Sequence, residues 1–367
     1  MGVTLTYRFL PDHPPGVPCG ERQLQNPLFA ILSAVRESGS IGNAAKLLGV
    51  SYRHLWGEIK SHEAALGQAL LAVNQGQAAR LSVFAERLLW AEKRTLARLL
   101  PSAEALAAKI DHELLLALQP ELRPLAVAAS HDLLFGTLRD CARRDANLLL
   151  DVDYVGSAAA LERLNRGECA LAGVHLPLDN PELCQRGSTV HAEIGRHLRL
   201  GEHKLIRMAG REQGLMVAPG NPLGVSGIAD LIRPDLSFIN RQPGSGTRIL
   251  LDELLRHHQL SHAAIAGYGC EEPTHLSVAA SIAAGLADCG IGLRAAAMGF
   301  ALDFVPLLTE QYFIVCTKSM LESEPMQTVL SALQSVGFQR AAAALPGYSA
   351  TAAGEVVSLR GVLPWYK

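Results

Sequence analysis

Four stretches of this sequence place hydroxyls, glycines and basic side chains where an apolar run turns into a helical pattern. They are Ala128-Ala129-Ser130-His131-Asp132, Asp153-Tyr154-Val155-Gly156-Ser157, the segment from Asn240 to Arg248, and Pro273-Thr274-His275. The chemistry such turns support is anion capture. The first turn of a helix leaves backbone N–H groups unpaired and carries the positive end of the helix dipole. Serine and threonine add hydroxyl donors, and glycines let the backbone approach a ligand. The candidate ligand-binding residues are therefore Ser130, His131, Ser157, Arg241, Ser245, Gly246, Thr247, Arg248, Thr274 and His275, together with Tyr312 at the start of a late strand. Each has a plainer alternative. Ser130, Ser157 and Thr247 could be helix caps, Arg241 a surface cation, His131 and His175 local hydrogen-bonders, and Tyr312 a packing residue. No HxxxH or HExxH spacing accompanies His131 or His175, and no carboxylate pair stands at useful spacing from a Lys or His. No metal ligand and no catalytic residue is assigned.

A second chemistry stands near the start of the chain. Ser38-Gly39-Ser40-Ile41 through Ala44-Ala45, Leu47-Leu48-Gly49-Val50-Ser51 and Tyr52-Arg53-His54-Leu55-Trp56 reads as a helix-turn-helix. Gly49 suits a left-handed helix end, and Ser51 suits the cap of the next helix. The small Ala44-Ala45 pair lets two helices cross closely. Leu55 and Ile59 fall on one face of the second helix, leaving Tyr52, Arg53, His54 and Lys60 outward, as a major-groove helix requires. Candidate DNA contacts are Ser40, Ser51, Tyr52, Arg53, His54, Lys60 and, beyond a hairpin signal at Asn74-Gln75-Gly76-Gln77, Arg80.

The elements that must position these residues follow from the rest of the pattern. At 367 residues with 49% hydrophobic and 19% charged content, the chain fits a soluble protein of two or three domains. Net charge is −2, but residues 26–100 hold nine Lys/Arg against five Asp/Glu, a local excess of +4. Residues 1–25 suggest a short strand and a Pro/Gly-rich segment. Residues 26–81 form the winged helix-turn-helix, with Pro27 at a first helical position. Residues 82–119 form a linker helix whose apolar seam calls for a second subunit. Pro101 predicts two helices there or a kinked one. Residues 120–367 alternate short apolar runs with amphipathic helices, which predicts a parallel α/β sheet. Strands are expected at 125–129, 148–154, 170–175, 215–218, 238–240, 289–293 and 313–316. Helices are expected near 133–143, 158–166, 248–258, 276–285 and 325–338. The seven cysteines are odd in number and lack CxxC spacing, as reduced thiols would be. No signal-peptide pattern and no run approaching ~18 apolar residues is present, so a cytoplasmic protein with no membrane partner is expected.

The head and linker resemble those of LysR-type regulators and, more closely, of the molybdate-responsive transcriptional regulators. The residues carrying this are Glu37-Ser38-Gly39-Ser40-Ile41, Ala44-Ala45, Leu48 to Tyr52, and Trp56. The body resembles the molybdate-binding-protein-like domain of type II periplasmic-binding-protein fold, through Asn240-Arg241-Gln242, Gly244 to Arg248, Val278-Ala279-Ala280 and Gly285 to Gly292. The resemblance implies a one-component, non-enzymatic regulator that binds operator DNA as a dimer or a tetramer. It needs no cofactor and would sense molybdate, tungstate or a related molybdenum species in a two-lobed domain. It points to Ser130, Ser157, the Ser245–Thr247 turn, Thr274-His275 and Tyr312 as contacts. The wing lacks the usual basic residues. Arg241 and Arg248 would suit a small carboxylate such as formate equally well. A cytosolic molybdate-binding protein without DNA binding, or an enzyme of the hydroxymethylbilane-synthase or prephenate-dehydratase kind, are the competing readings.

Overall fold

The structure is a computed structural model that describes residues 26–72, 79–119 and 121–366. It divides into two units between Leu99 and Leu100.

The first unit begins with α1 (Pro27–Ser38), capped by Asn26, whose Oδ1 accepts the Leu28 amide at 3.0 Å. Gly39 ends it at φ +66°, a left-handed conformation that a side chain would strain. Ser40 caps α2 (Ile41–Leu47), and Ser51 caps α3 (Tyr52–Leu66). Leu28, Ile31, Leu32 and Val35 of α1 bury against Ala44, Ala45, Leu55 and Ile59 in one core. The predicted hairpin stands as β1 (Leu71–Ala72) antiparallel to β2 (Arg80–Leu81). The Asn74–Gln77 turn lies outside the described residues, as do the expected strand near residue 5 and the Pro/Gly-rich segment that follows it.

Next comes α4 (Val83–Leu118), 36 residues in one helix. Of the two alternatives expected at Pro101, two helices or one kinked helix, the break into two is corrected: one helix runs through it. An interior proline costs roughly 3 kcal/mol, and the Leu- and Ala-rich flanks, good helix formers, carry the assignment across.

In the body, β3 (Arg123–Ala129), α5 (Phe135–Ala146), β4 (Leu148–Tyr154), α6 (Ser157–Asn165) and β5 (Leu171–Leu176) build the first lobe, with strands in parallel order β4-β3-β5. After α7 (Thr189–Ile194) comes β6 (His203–Val217). The second lobe then follows: β7 (Phe238–Arg241), α8 (Gly246–His257), β8 (Glu271–Glu272), α9 (His275–Ala283), β9 (Cys289–Leu293) and α10 (Arg294–Gly299). Its strands β9-β7-β8 are again parallel. The chain returns through β10 (Asp303–Thr317) and α11 (Lys318–Leu321) to α12 (Glu324–Gln334) and α13 (Val336–Ala344), which cover the first lobe. Short β11 (Tyr348–Ser349) and β12 (Val356–Ser358) pair with β6 before α14 (Leu359–Val362).

The expected parallel pairing holds within each lobe, and two strands depart from it. Strands β6 and β10, each 15 residues, run antiparallel to each other and pass through both lobes. In the first lobe β10 pairs with β5, and in the second β6 pairs with β9. The sequence showed only their apolar ends, at 215–218 and 313–316. The expected helix 325–338 is two helices, broken at Ser335, which caps α13.

Candidate effector cleft and DNA-facing helix

The carboxyl ends of β3, β4, β7 and β8 lead into the anticipated turns, where open α/β sheets hold ligands. The structure brings the turns together, and their walls nearly touch. A Cβ added to Gly246 would lie 2.1 Å from His175 Nε2, and one on Gly156 would lie 3.8 Å from the Gly244 carbonyl oxygen. Only glycine fits at 246.

Ser130 is no helix cap, because α5 begins at Phe135 with no side-chain cap. Its buried hydroxyl lies 3.0 Å from His175 Nδ1 and 3.2 Å from the Tyr312 hydroxyl. Tyr312 is fully buried and donates to the Ser130 carbonyl at 2.6 Å. The phenol therefore fixes Ser130 and is committed before any ligand arrives. Ser157 opens α6, and its buried Oγ has no partner among the described residues. Ser245 is the cap of α8, accepting the Arg248 amide at 3.3 Å. Thr247 is buried, and its Oγ1 accepts from Gln213 Nε2 at 3.1 Å, so its own proton remains to be donated. Thr274 caps α9 in a reciprocal pair with Ser277, the plainer alternative.

The basic groups separate into two kinds. Arg248, expected at the ligand, has acidic partners of its own, and its Nη1 also donates to the Arg241 carbonyl at 3.1 Å. Its guanidinium lies 3.9 Å from the Tyr268 ring centroid and pairs with Asp252 at 3.5 Å and Glu271 at 3.4 Å. Arg241 is buried and makes no ion pair among the described residues. Its donors reach only neutral oxygens, Gln242 Oε1 at 3.3 Å and the Pro273 carbonyl at 3.0 Å. Burial, and then the charge of Arg211, lowers its pKa to about 10, so it stays cationic at neutral pH. His131 lies 5.1 Å from the Tyr154 ring. Its pKa is lowered by desolvation, partly opposed by Asp132. Desolvation also takes His175 down to about 4 and His275 well below the usual imidazole value, so both are neutral. His175 Nε2 and His275 Nδ1 are buried without partners among the described residues. No group of three His, Cys, Asp or Glu among the described residues is arranged to hold a metal.

Beneath the cleft, where β6 and β10 cross between lobes, lies a network that sequence reasoning missed. Arg211 Nη1 donates to Asp132 Oδ2 at 2.9 Å and Nε to Glu310 Oε2 at 3.1 Å. Gln213 donates to the same Glu310 oxygen at 2.9 Å, and the Tyr348 hydroxyl to Asp132 at 3.0 Å. Burial alone would lower the Arg211 pKa, but Glu310 and Asp132 hold it above its ordinary value. The available signal was the placement of Arg211, Gln213 and Glu310 inside otherwise apolar runs.

On the head, Ser40 and Ser51 spend their hydroxyls as caps, on the Asn43 amide at 3.1 Å and the His54 amide at 3.2 Å. Arg53 and His54 are exposed on α3, and Arg80 is exposed on β2. Lys60 is tethered: its Nζ lies 2.7 Å from Glu63 and 4.7 Å from the Trp56 ring centroid. Tyr52 and Trp56 stack with centroids 6.4 Å apart. Trp56, not expected among the contacts, thus belongs to the exposed row Tyr52-Trp56-Lys60 at helical spacing.

A helix-turn-helix head on a two-lobed binding-protein body defines the class. Residues 27–86 match the bacterial regulatory helix-turn-helix protein model of the lysR family, and residues 138–334 match the PBP superfamily domain. The chain belongs to the PBP superfamily and carries a lysR-family helix-turn-helix. Among curated relatives, it is 35% identical over 205 residues to the uncharacterized protein YvgK of Bacillus subtilis (strain 168), covering 56% of this chain and 64% of that protein's length. It is 32% identical over 111 residues to an uncharacterized protein from the ferredoxin 2Fe-2S gene 5′ region of Clostridium pasteurianum, covering 30% of this chain and 98% of that one. A hydrogen-peroxide-bound mutant of Corynebacterium glutamicum OxyR aligns with a TM-score of 0.45 at 16% identity, over 86% of this chain and 93% of that one.

Proposed function

We propose that this protein is a ligand-responsive transcriptional regulator of LysR type, and not an enzyme. Its head binds operator DNA as a homo-oligomer joined through α4, while its body closes over a small anion. The observation carrying the effector class is Arg241, a buried cation with no ion-pair partner among the described residues. A buried, unpaired charge is costly, and an anion in the cleft offsets that cost. The Ser157 hydroxyl, the Thr247 proton and the first-turn amides of α8 supply further donors around it. The near contact of Gly246 with His175 limits the occupant to a compact species. Molybdate, tungstate and a small carboxylate such as formate meet both conditions.

Thermal-shift measurements with molybdate, tungstate, phosphate and formate test the effector reading. A ligand that binds only the folded form raises the melting temperature by mass action. The shift should disappear in Arg241→Met, and no shift with any of the four anions refutes the class. For DNA, a gel shift with the region upstream of its own gene at about 50–100 mM salt should show a complex. Arg53→Ala with Lys60→Ala should abolish that complex while leaving the anion shift intact, since phosphate contacts dominate affinity.

A further inference from the structure

Resting on the small-anion reading, we infer that His175 makes the cleft bind its anion together with one proton. The geometry starts with the tautomer. His175 Nδ1 lies 3.0 Å from Ser130 Oγ, and Nε2 faces the N-terminus of α8 at Gly246. A protonated Nε2 would point a positive hydrogen at a helix end that is itself positive. Nε2 is therefore the bare nitrogen, and Nδ1 carries the proton toward Ser130. Ser130 in turn donates onward, to the Tyr312 hydroxyl at 3.2 Å or the Gly173 carbonyl at 3.4 Å.

The bare Nε2 has consequences for any anion placed at the α8 N-terminus. A fully deprotonated anion there would face a lone pair, which repels it. An anion accompanied by a proton turns the same contact into a hydrogen bond. The proton comes from bulk solvent and forms an N–H bond at Nε2 or an O–H bond on the ligand, and no other bond changes. The groups facing His175 permit this. Glu310 of β10 and Asp132 after β3 favour its charged form, whereas Arg211 of β6 and Arg241 of β7 oppose it. His131 and His275 share the cleft as neutral imidazoles, and the Tyr312 ring lies 6.1 Å away. With the cleft empty, desolvation and the two arginines keep His175 neutral. An arriving anion adds the negative charge that reverses this balance.

Isothermal titration of the full chain with molybdate and with formate, each in two buffers of different ionisation enthalpy at pH 6, 7 and 8, measures the proton count directly. One proton is taken up per anion, and the apparent Kd rises about tenfold per pH unit. The variant His175→Gln, checked for an unchanged melting temperature, binds with a Kd that no longer depends on pH. Binding of either anion by the wild-type chain with no proton uptake overturns the role of His175 while leaving the anion reading intact. No heat from either anion, and no thermal shift with molybdate, tungstate, phosphate or formate, overturns both.

Discussion

Arg211 holds its guanidinium almost fully out of water between two buried carboxylates, Asp132 and Glu310. Removing it leaves Asp132 and Glu310 uncompensated in a low-dielectric site. Breaking a buried pair in this way costs about 3–5 kcal/mol. Arg211→Met should lower the urea midpoint of the body accordingly, with its slope unchanged. The histidines give a second residue-scale expectation. His175 titrates near 4 in the folded chain, and His275 is also depressed. An unfolded imidazole titrates near 6.5. Between those values the unfolded chain binds more protons, so stability rises with pH across that interval. The contribution is fully present above about pH 6.5 and is lost as pH falls toward 4. Urea midpoints at pH 7, 5.5 and 4.5, falling in that order, would show it. A midpoint that is flat or rises on acidification contradicts neutral buried histidines.

The elements show which parts of the architecture a sequence can disclose. Helices α1, α2, α3 and α8 were legible because each announces itself with an Asn or Ser cap, and α1 and α3 also end at a glycine. Strand β9 was legible as a short run buried on both faces, and β4 through its buried start, Leu148 to Leu150. The long strands β6 and β10 were not, because Arg211, Glu212 and Gln213 in one and Thr309, Glu310 and Gln311 in the other interrupt the apolar pattern. Three of those interruptions, Arg211, Gln213 and Glu310, are the buried network itself, so the pattern rule fails where polar residues are buried together. The same reasoning explains the ligand residues. Turn chemistry picks out the candidates Ser157 and the Ser245–Thr247 loop, but only tertiary contact distinguishes Arg241, whose partners are neutral, from Arg248, which pairs with Asp252 and Glu271. At this scale, Gly246→Ala places a methyl on the His175 ring and forces α8 away from the first lobe. Overpacking of that kind costs roughly 1–3 kcal/mol. Melting should fall, and any anion-induced shift should be lost. Ser51→Ala removes the α3 cap at about 1 kcal/mol, which calorimetry of the head transition would register.

For the whole molecule, α4 is the element that bears on assembly. At about 1.5 Å per residue its 36 residues span roughly 54 Å. Its first half buries Ala85 and Leu89 in the head core, whereas Leu106 and Leu118 farther along are 60% and 69% exposed. Exposed leucines of this kind are where the proposed oligomer contact through α4 would form. Leu106→Glu with Leu114→Glu should shift light-scattering mass toward the monomer and weaken DNA retention, because one recognition helix alone reads only half an operator. An unchanged mass would place the oligomer contact elsewhere.

The register of the two crossing strands has a mechanical consequence. Their pairing slips between Pro306 and Leu308 and again between Tyr312 and Phe313, on either side of the buried Glu310. Bulges bend and overtwist a ribbon locally. Any relative movement of the lobes has to pass through this two-strand strap, which the Arg211 ion pairs with Asp132 and Glu310 clamp near its midpoint. In the regulator proposed above, effector binding would therefore be felt across the strap as strain on that clamp.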